Sequence, residues 1–393
     1  MIYHLFEYLR TATNIPGAGV MQYISTRVFL CAATAILIAL IWGKRIIGRL
    51  QKQQIGETIR DLGLEGQLSK KGTPTMGGLI ILISFLISML LFCDLTNKYV
   101  LLMIVSALWL GALGFADDYI KVFRKNKEGL PGKYKIVFQI VLGVIVALTL
   151  CLGPDRITTL TTIPFFKGNE FDYAWLAPGS GMLKDALQVV VFVVIIVFII
   201  TACSNGSNLT DGMDGLATGV CAIAGITLGV LAYLGGNSIQ ANYLNIMYLP
   251  QSGEMAIVMA GFVGALAGFL WYNSYPAQVF MGDTGSLALG GIIAVAAIII
   301  RKELLLPLLC GVFVAESFSV IIQRYYFKYH RIKHGEGKRI FKMTPLHHHF
   351  QKEGIDSLIK KPVRAIPEAK IVMRFWLVSI LLAILTVMTL KIR

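Results

Sequence analysis

Ten apolar stretches constrain this chain more than any other feature of its sequence. A helix that crosses a bilayer needs about 20 apolar residues at a rise of about 1.5 Å per residue. The stretches cover residues 26–43, 76–93, 99–117, 134–152, 186–203, 213–234, 255–272, 284–300, 303–325 and 371–390. The sequence therefore predicts an all-α polytopic membrane protein with about ten transmembrane helices, formed as a single domain over residues 1–393.

The composition excludes other classes of protein. Charged residues make up 15% of the chain, against roughly 25% in a soluble domain, and 56% of residues are hydrophobic. This content also excludes a disordered chain or a collagen. The six cysteines form no C-x-x-C pair, which argues against a disulfide framework or a zinc site. The net charge of +14 indicates basic cytoplasmic loops or an anionic substrate and not a nucleic-acid partner.

The distribution of basic residues predicts the orientation in the bilayer. The connections after the first, third and ninth stretches contain 25 of the 36 Lys and Arg residues, whereas the opposite side contains nine. By the positive-inside rule, the odd-numbered connections are cytoplasmic and both termini are extracytoplasmic. Segment 326–370 becomes a long cytoplasmic loop. Segment 153–185, rich in Thr, Pro, Gly and aromatics, becomes an extracytoplasmic insertion that we expect to form a β-hairpin.

Unusual polar residues collect in the odd-numbered connections. They are Asp117 and Asp118 at the end of the third stretch, the run 204–215, Asn273 and Asp283 in the connection after the seventh, and His347, His348 and His349 after the ninth. The even-numbered connections contain nothing comparable. Four motifs on one side predict a composite site at the cytoplasmic edge of the membrane.

The Asp117–Asp118 pair has two interpretations. An aspartate is costly inside a bilayer and cheaper toward its edge, so a solvated helix end is one of them. The second is functional, because basic residues follow the pair directly. Neighbouring helical residues point about 100° apart, so one carboxylate could hold a metal while the other accepts a proton.

The run from Asn205 to Asp214 places Asn, Asn, Asp and Asp at a strict three-residue spacing. On a helix this spacing turns by about 60° per step, so the four cannot share one face. Its glycines predict a loop that enters a helix near Asp211, with helix capping as the structural alternative to a functional role. Asp283 likewise fits either an N-cap or a Mg²⁺ ligand.

Two further motifs have less certain chemistry. Three consecutive imidazoles at 347–349 cannot all face one ion, so contact with pyrophosphate or sugar, or proton handling, is more plausible than zinc. A solvated loop is the alternative. The segment GTPTMGG at 72–78 predicts a tight turn close to neighbouring backbone and lacks the Gly-Lys-Ser/Thr ending of a Walker loop.

Taken together, these motifs resemble those of the phospho-N-acetylmuramoyl-pentapeptide transferases, within the polyprenyl-phosphate N-acetylhexosamine-1-phosphate transferases. The resemblance spans nearly the whole chain and rests on GTPTMGG, FADDYIK, NxxNxTDGxDGLA, NxxPAxVFMGDTGS and MTPLHHHF. It implies transfer of phospho-MurNAc-pentapeptide from UDP to undecaprenyl phosphate, giving lipid I and UMP, with Mg²⁺ as cofactor. It further implies the bacterial inner membrane as location and a homodimer. The chain departs from the family mainly in its longer segment 153–185.

The resemblance also assigns roles to individual residues. It implies that Asp117 deprotonates the lipid phosphate, that Asp118 and Asp283 are essential carboxylates, and that His347 is essential. Asp283 is the leading metal ligand, with Asp117 and Asp118 beside it. The implied substrate-binding positions are Lys70, Thr75, Lys121, Lys125, Lys133, Asn205, Asn208, Asp211, Asp214, Asn273, Phe280, His348 and His349.

Two other functions fit part of the sequence. A sister transferase that moves GlcNAc-1-phosphate to a polyprenyl phosphate would need the same acidic motifs, but GTPTMGG and the triple histidine argue against it. An ion-coupled transporter would also place acids in its spans. Its acids should lie near the bilayer midplane on broken helices, whereas here they cluster at one edge.

Overall fold

The computed structural model of this protein describes residues 1–13, 17–53, 72–124, 126, 128–151, 159–166, 170–179, 181–244 and 246–390. Lys70 and Lys125, both predicted to bind substrate, lie outside these residues. The helices are α1 (Ile2–Thr13), α2 (Ile24–Lys52), α3 (Gly78–Phe92), α4 (Lys98–Phe123), α5 (Gly132–Cys151), α6 (Met182–Thr210), α7 (Leu216–Gly235), α8 (Ser238–Leu244), α9 (Gly253–Asn273), α10 (Gly282–Ile299), α11 (Leu306–Leu309), α12 (Gly311–His334), α13 (Leu346–Gln351) and α14 (Glu368–Thr389).

Each of the ten predicted stretches coincides with apolar helix. Within the described residues, eight helices are long and apolar enough to cross a membrane: α2, α4, α5, α6, α7, α9, α10 and α14. A ninth span results if Glu303–Leu309 and Gly311–His334 cross together, with a bend of 73° between them. The shorter helix α3 has 15 apolar residues. The chain is thus an all-α polytopic membrane protein, as predicted.

Helix α10 forms the buried axis of the bundle. Of its most apolar 18-residue window, 89% is buried, whereas the values for α2, α6 and α14 lie between 17% and 22%. Helices α3, α4, α6 and α7 all pack against α10. Its sequence is dominated by Gly, Ala, Leu and Ile, and small side chains let helices approach closely in a membrane. The outer helices keep large apolar side chains exposed, as lipid contact requires.

The insertion contains the predicted hairpin. Strands β1 (Leu160–Thr162) and β2 (Glu170–Asp172) pair antiparallel. The hairpin packs against the connection that follows α10: Thr162 N–H donates to the Arg301 carbonyl, and Lys302 Nζ donates to Thr162 Oγ1 at 2.5 Å. Because this connection follows the C-terminus of α10, the hairpin and the first turn of α10 lie at opposite ends of that helix.

One local expectation is wrong, and one open alternative is decided. The loop was expected to enter a helix near Asp211, but α6 continues through Thr210 and α7 begins only at Leu216. The two asparagines are helical because tertiary hydrogen bonds outweigh their weak helix propensity. Asp283 is also not the N-cap of α10, which begins at Gly282, but a residue of its first turn.

Candidate active site

Three carboxylates meet where α4 ends and α10 begins. Asp117 and Asp118 lie near the C-terminus of α4, and Asp283 lies in the first turn of α10. One oxygen from each lies within 4.8 Å of the others. The first turn of a helix favours a negative charge. The structure therefore brings together acidic residues that are separated by up to 166 positions in the sequence.

Two ammonium groups bridge these carboxylates. Lys121 Nζ lies 2.6 Å from Asp117 Oδ2 and 3.2 Å from Asp283 Oδ2. Lys135 Nζ lies 2.9 Å from Asp117 Oδ1 and 2.6 Å from Asp283 Oδ2. The Asp117 side chain is fully buried, whereas that of Asp283 is 14% exposed. Buried carboxylates need such partners, because an unpaired charge in a protein interior is strongly destabilising.

Lys135 was missed in the sequence. The nearby Lys133 was singled out instead, but it is exposed and its Nζ lies 5.4 Å from the centroid of the Tyr134 ring. A signal for Lys135 was present one helical turn later, where Gln139 interrupts an apolar run. Gln139 is fully buried and accepts a hydrogen bond from Asn205. Residues four apart share a helix face, so both side chains of α5 face the site.

Asp118 organises the start of α10. Its Oδ1 accepts the backbone N–H of Asp283 at 3.1 Å, and its Oδ2 accepts both the backbone N–H and the hydroxyl of Thr284 at 2.8 and 2.6 Å. These bonds satisfy N–H groups that a helix N-terminus leaves without intrahelical partners. Thr75 is buried beside them, since a Cβ added at Gly282 would lie 2.6 Å from Asp118 Oδ2 and 3.0 Å from Thr75 Oγ1.

The GTPTMGG segment forms the predicted tight turn against neighbouring backbone. Phe280 N–H donates to the Pro74 carbonyl, and Gly77 N–H donates to the Phe280 carbonyl, each at 2.8 Å. A Cβ added at Gly78 would lie only 2.1 Å from the backbone nitrogen of Gly285. Glycine therefore lets the starts of α3 and α10 touch, and this contact sets the position of the loop that precedes Asp283.

Both asparagines of α6 face the acidic cluster or its support. Asn208 Nδ2 donates to Asp283 Oδ1 at 2.9 Å and to Ser286 Oγ at 2.8 Å. Asn205 Nδ2 donates to Gln139 Oε1 at 2.9 Å. Asn208 thus contacts a carboxylate of the site directly, and Asn205 joins α6 to α5 one helical turn after Lys135.

Asp214 and Asn273 bond to the loops around the site. Asp214 Oδ2 accepts the backbone N–H of Ala277 at 3.0 Å. Asn273 Oδ1 accepts the backbone N–H of Gly215 at 3.1 Å and the hydroxyl of Thr218 at 2.8 Å. Together they tie the loop after α6, which contains the half-buried Asp211, to the loop after α9. A direct role for these residues in substrate binding stays a prediction.

His347 reaches the same loop from α13. Its side chain is fully buried, and its Nδ1 lies 3.2 Å from Oε1 of Glu316, which is buried in α12. A Cβ added at Gly212 would lie 2.1 Å from His347 Nε2, so the ring lies against the backbone of the loop after α6. Glu316 is not among the residues predicted from the sequence, although a carboxylate in the middle of the stretch 303–325 was a signal for it.

The other two histidines of the triplet have different surroundings. His349 Nδ1 accepts the backbone N–H of Lys342 at 3.1 Å, and its Nε2 lies 2.8 Å from the Lys361 carbonyl. Burial lowers the pKa of His349. His348 is half-buried, with its ring centroid 4.2 Å from that of His347. His349 therefore fastens the segment that carries the triplet.

The acidic cluster offers the oxygen ligands that a hard divalent cation prefers. Both oxygens of Asp118 already accept hydrogen bonds from α10. Asp117 and Asp283 instead share their charge with two lysines, whose side chains are long enough to turn toward an anionic ligand. The donor set fits a divalent metal, held chiefly by Asp117 and Asp283.

Comparisons with known proteins give the relatives of this chain. The sequence model described as glycosyl transferase family 4 matches residues 100–301, and phospho-N-acetylmuramoyl-pentapeptide-transferase signature 1 matches residues 70–82. The chain is similar to proteins named phospho-N-acetylmuramoyl-pentapeptide-transferase from Parabacteroides distasonis and Porphyromonas gingivalis, each 55% identical over 420 residues. The protein of that name from Flavobacterium psychrophilum is 52% identical. All three alignments cover 100% of both chains.

Proposed function

This chain belongs to the phospho-N-acetylmuramoyl-pentapeptide transferase family, and we propose that it transfers phospho-N-acetylmuramoyl-pentapeptide from UDP to undecaprenyl phosphate. The products are lipid I and UMP, and the reaction serves peptidoglycan synthesis in the bacterial inner membrane. The observation that carries this function is the cluster of three carboxylates and two lysines at one end of the bundle. A reaction between two phosphates develops its charge on phosphate oxygens, where such groups help most.

The three carboxylates have different roles because their contacts differ. Asp118 positions Asp283, because it binds the N-terminus of α10 with both oxygens. The resemblance implies Asp117 as the base to which a lipid phosphate passes its proton; in the free protein its carboxylate accepts the Leu130 N–H and contacts two ammonium groups, which turn away before the proton is taken. Lys121 and Lys135 hold both Asp117 and Asp283 in the free protein and turn toward the phosphates of the donor when it binds.

Mg²⁺ is the divalent cation that we assign to this site. Asp283 and Asp117 would hold it, because they are the carboxylates whose oxygens are not taken by backbone N–H groups of α10. When bound, the ion neutralises charge on phosphate oxygens. Removing divalent ions with a chelator should abolish UMP release, and added Mg²⁺ should restore it.

The site faces the cytoplasm in the proposed topology, where the nucleotide substrate is found. Ten spans with both termini outside place all basic connections on the side of Lys121 and Lys135. The hairpin then lies outside, since it packs at the other end of α10. A homodimer is a further part of this proposal, and the mass of the detergent-solubilised protein would test it.

Parallel donors test the function against its nearest alternative. Purified protein with Mg²⁺ and undecaprenyl phosphate should release UMP from UDP-MurNAc-pentapeptide and not from UDP-GlcNAc. Asp117→Asn and Asp283→Asn variants should lose this activity, because each removes a charge from the cluster while keeping the size of the side chain. UMP from UDP-GlcNAc alone would instead indicate the sister transferase.

A lack of UMP release from both donors would also be informative. Folded protein that binds undecaprenyl phosphate but releases UMP from neither donor would refute the transferase function. An ion-coupled transporter would then return as the alternative, although the acids lie at the ends of α4 and α10 and not at mid-helix.

A further inference from the structure

One glutamate binds the backbone N–H of His347 and lies beside its ring. The His347 N–H donates to Oε1 and Oε2 of Glu316 at 3.2 and 3.3 Å, and its Nδ1 lies 3.2 Å from Oε1. Both side chains are 0% exposed. The two residues lie on α12 and α13, 31 positions apart. A buried carboxylate therefore fixes the histidine that the family resemblance marks as essential.

The need to cap the N-terminus of α13 does not explain why Glu316 carries a charge. A buried carboxylate is costly unless it is well paired. Within the described part of the chain, His347 supplies every partner of the Glu316 carboxylate. A neutral hydroxyl or amide would satisfy one backbone N–H without burying a charge. The ring contact at Nδ1 is what a carboxylate adds.

The ring orientation places Nε2 against the loop that follows α6. Among the described residues neither ring nitrogen of His347 makes a hydrogen bond: Nδ1 has only the 3.2 Å ion-pair contact with Glu316 Oε1, and Nε2 is buried. It lies against Gly212, because a Cβ there would be 2.1 Å away. That loop follows α6, whose Asn208 bonds to Asp283. A carboxylate beside one ring nitrogen favours the proton there and leaves the other nitrogen as the reactive atom.

We propose that Glu316 is a positioning residue that keeps the proton of the His347 ring on Nδ1. Nε2 then accepts a hydrogen bond from a hydroxyl or N–H group of the donor substrate. This inference rests on the proposed function, because the sugar-peptide donor supplies that group. Glu316 itself touches no substrate and acts through His347.

A double-variant cycle tests whether the two residues act as one unit. Glu316→Gln keeps an oxygen for the backbone N–H of His347 and should still fold. We expect it to lower kcat/KM for UMP release by about 10–100-fold, with the KM for undecaprenyl phosphate unchanged. In a His347→Ala background the same change should have no further effect. Losses that multiply in the double variant would overturn the proposal.

Nitrogen NMR of ¹⁵N-histidine-labelled protein tests the tautomer without turnover. The His347 signal, assigned by its loss in His347→Ala, should show the proton on Nδ1 in the wild type and a mixture of tautomers in Glu316→Gln. An unchanged tautomer would overturn the proposal. Because this readout needs no substrate, it separates a failure of Glu316 positioning from a failure of the proposed transferase activity.

Glu303→Gln is the matched control. Glu303 is a second buried glutamate, 1% exposed, and it accepts a hydrogen bond from Tyr173 at the other end of α10. This variant should lower thermal stability but leave the His347 tautomer and kcat/KM unchanged. An equal effect of both glutamate variants on the tautomer would show that any buried glutamate acts globally, and it would overturn the proposal.

Discussion

Replacing Lys135 with Met should nearly abolish turnover, whereas the same change at Lys133 should have little effect. Met keeps the length of the side chain and removes the ammonium group that contacts Asp117 and Asp283. Lys133 lies two positions away on the same helix, is exposed, and contacts only the ring of Tyr134 among the described residues. The pair therefore separates the local charge from the general basicity of α5.

The distances give the size of the effect. At an effective dielectric constant of about 20, unit charges at 2.6 and 2.9 Å attract by about 6 kcal/mol each. Most of this attraction is offset by the desolvation of the Lys135 ammonium, so that breaking a buried pair costs about 3–5 kcal/mol. Lys121 still contacts both carboxylates, which favours the lower value. In the transition state Lys135 faces phosphate charge in place of carboxylate charge, and an attraction of the same size, about 3 kcal/mol, corresponds to roughly a 100-fold fall in kcat/KM when it is lost.

The assay is UMP release by wild type, Lys135→Met and Lys133→Met in nanodiscs of one lipid composition. Thermal unfolding of each sample shows whether a loss of activity is a loss of folded protein. The reasoning is refuted if Lys135→Met stays within about threefold of Lys133→Met, because the contacts above would then contribute less than about 1 kcal/mol.

Three other predictions concern stability. Gly78→Ala should lower the thermal midpoint, since its Cβ would meet backbone at 2.1 Å and overpacking costs about 1–3 kcal/mol, whereas Gly48→Ala, with open space around it, should not. Tyr173→Phe should cost about 1–3 kcal/mol, because Glu303 loses a buried donor, and should leave UMP release unchanged. Burial lowers the pKa of His349, so below about pH 6.5 the unfolded chain binds the extra proton and stability falls. His349→Gln should reduce the loss of thermal midpoint between about pH 7.5 and pH 5, and an unchanged loss would contradict this reasoning.

The sequence predicted the helices well because membrane spans carry a strong and simple signal. Every predicted stretch coincides with apolar helix, and the aspartates of two predicted motifs meet in one cluster. The helix boundaries predicted from the sequence were less accurate. Helix α6 extends to Thr210, past Asn205 and Asn208, since Gln139 and Asp283 supply partners that no local rule could reveal.

The sequence could not predict the hydrogen-bond and ion-pair partners of the site residues. In the sequence only the polar Gln139, one turn after Lys135, distinguishes Lys135 from Lys133, and the direction of α5 decides which of the two reaches the carboxylates. Asp118 is predicted from the sequence as a further catalytic carboxylate, and its hydrogen bonds to Thr284 depend on the packing of α4 against α10, which the sequence does not reveal. The roles of such residues follow from the packing of helices distant in sequence, which periodicity does not encode.

Buried charges are paired in different ways at the two ends of α10, and this difference explains how the bundle combines stability with function. At the C-terminal end, Lys302 and Glu303 each bond to the hairpin segment, through Thr162 and Tyr173, and the hairpin closes over them. At the N-terminal end, two lysines are shared between Asp117 and Asp283. Because Asp117 and Asp283 each have two ammonium partners, one lysine can turn to a phosphate while the other keeps the carboxylates paired. Such exchange is what a site for anionic substrates needs.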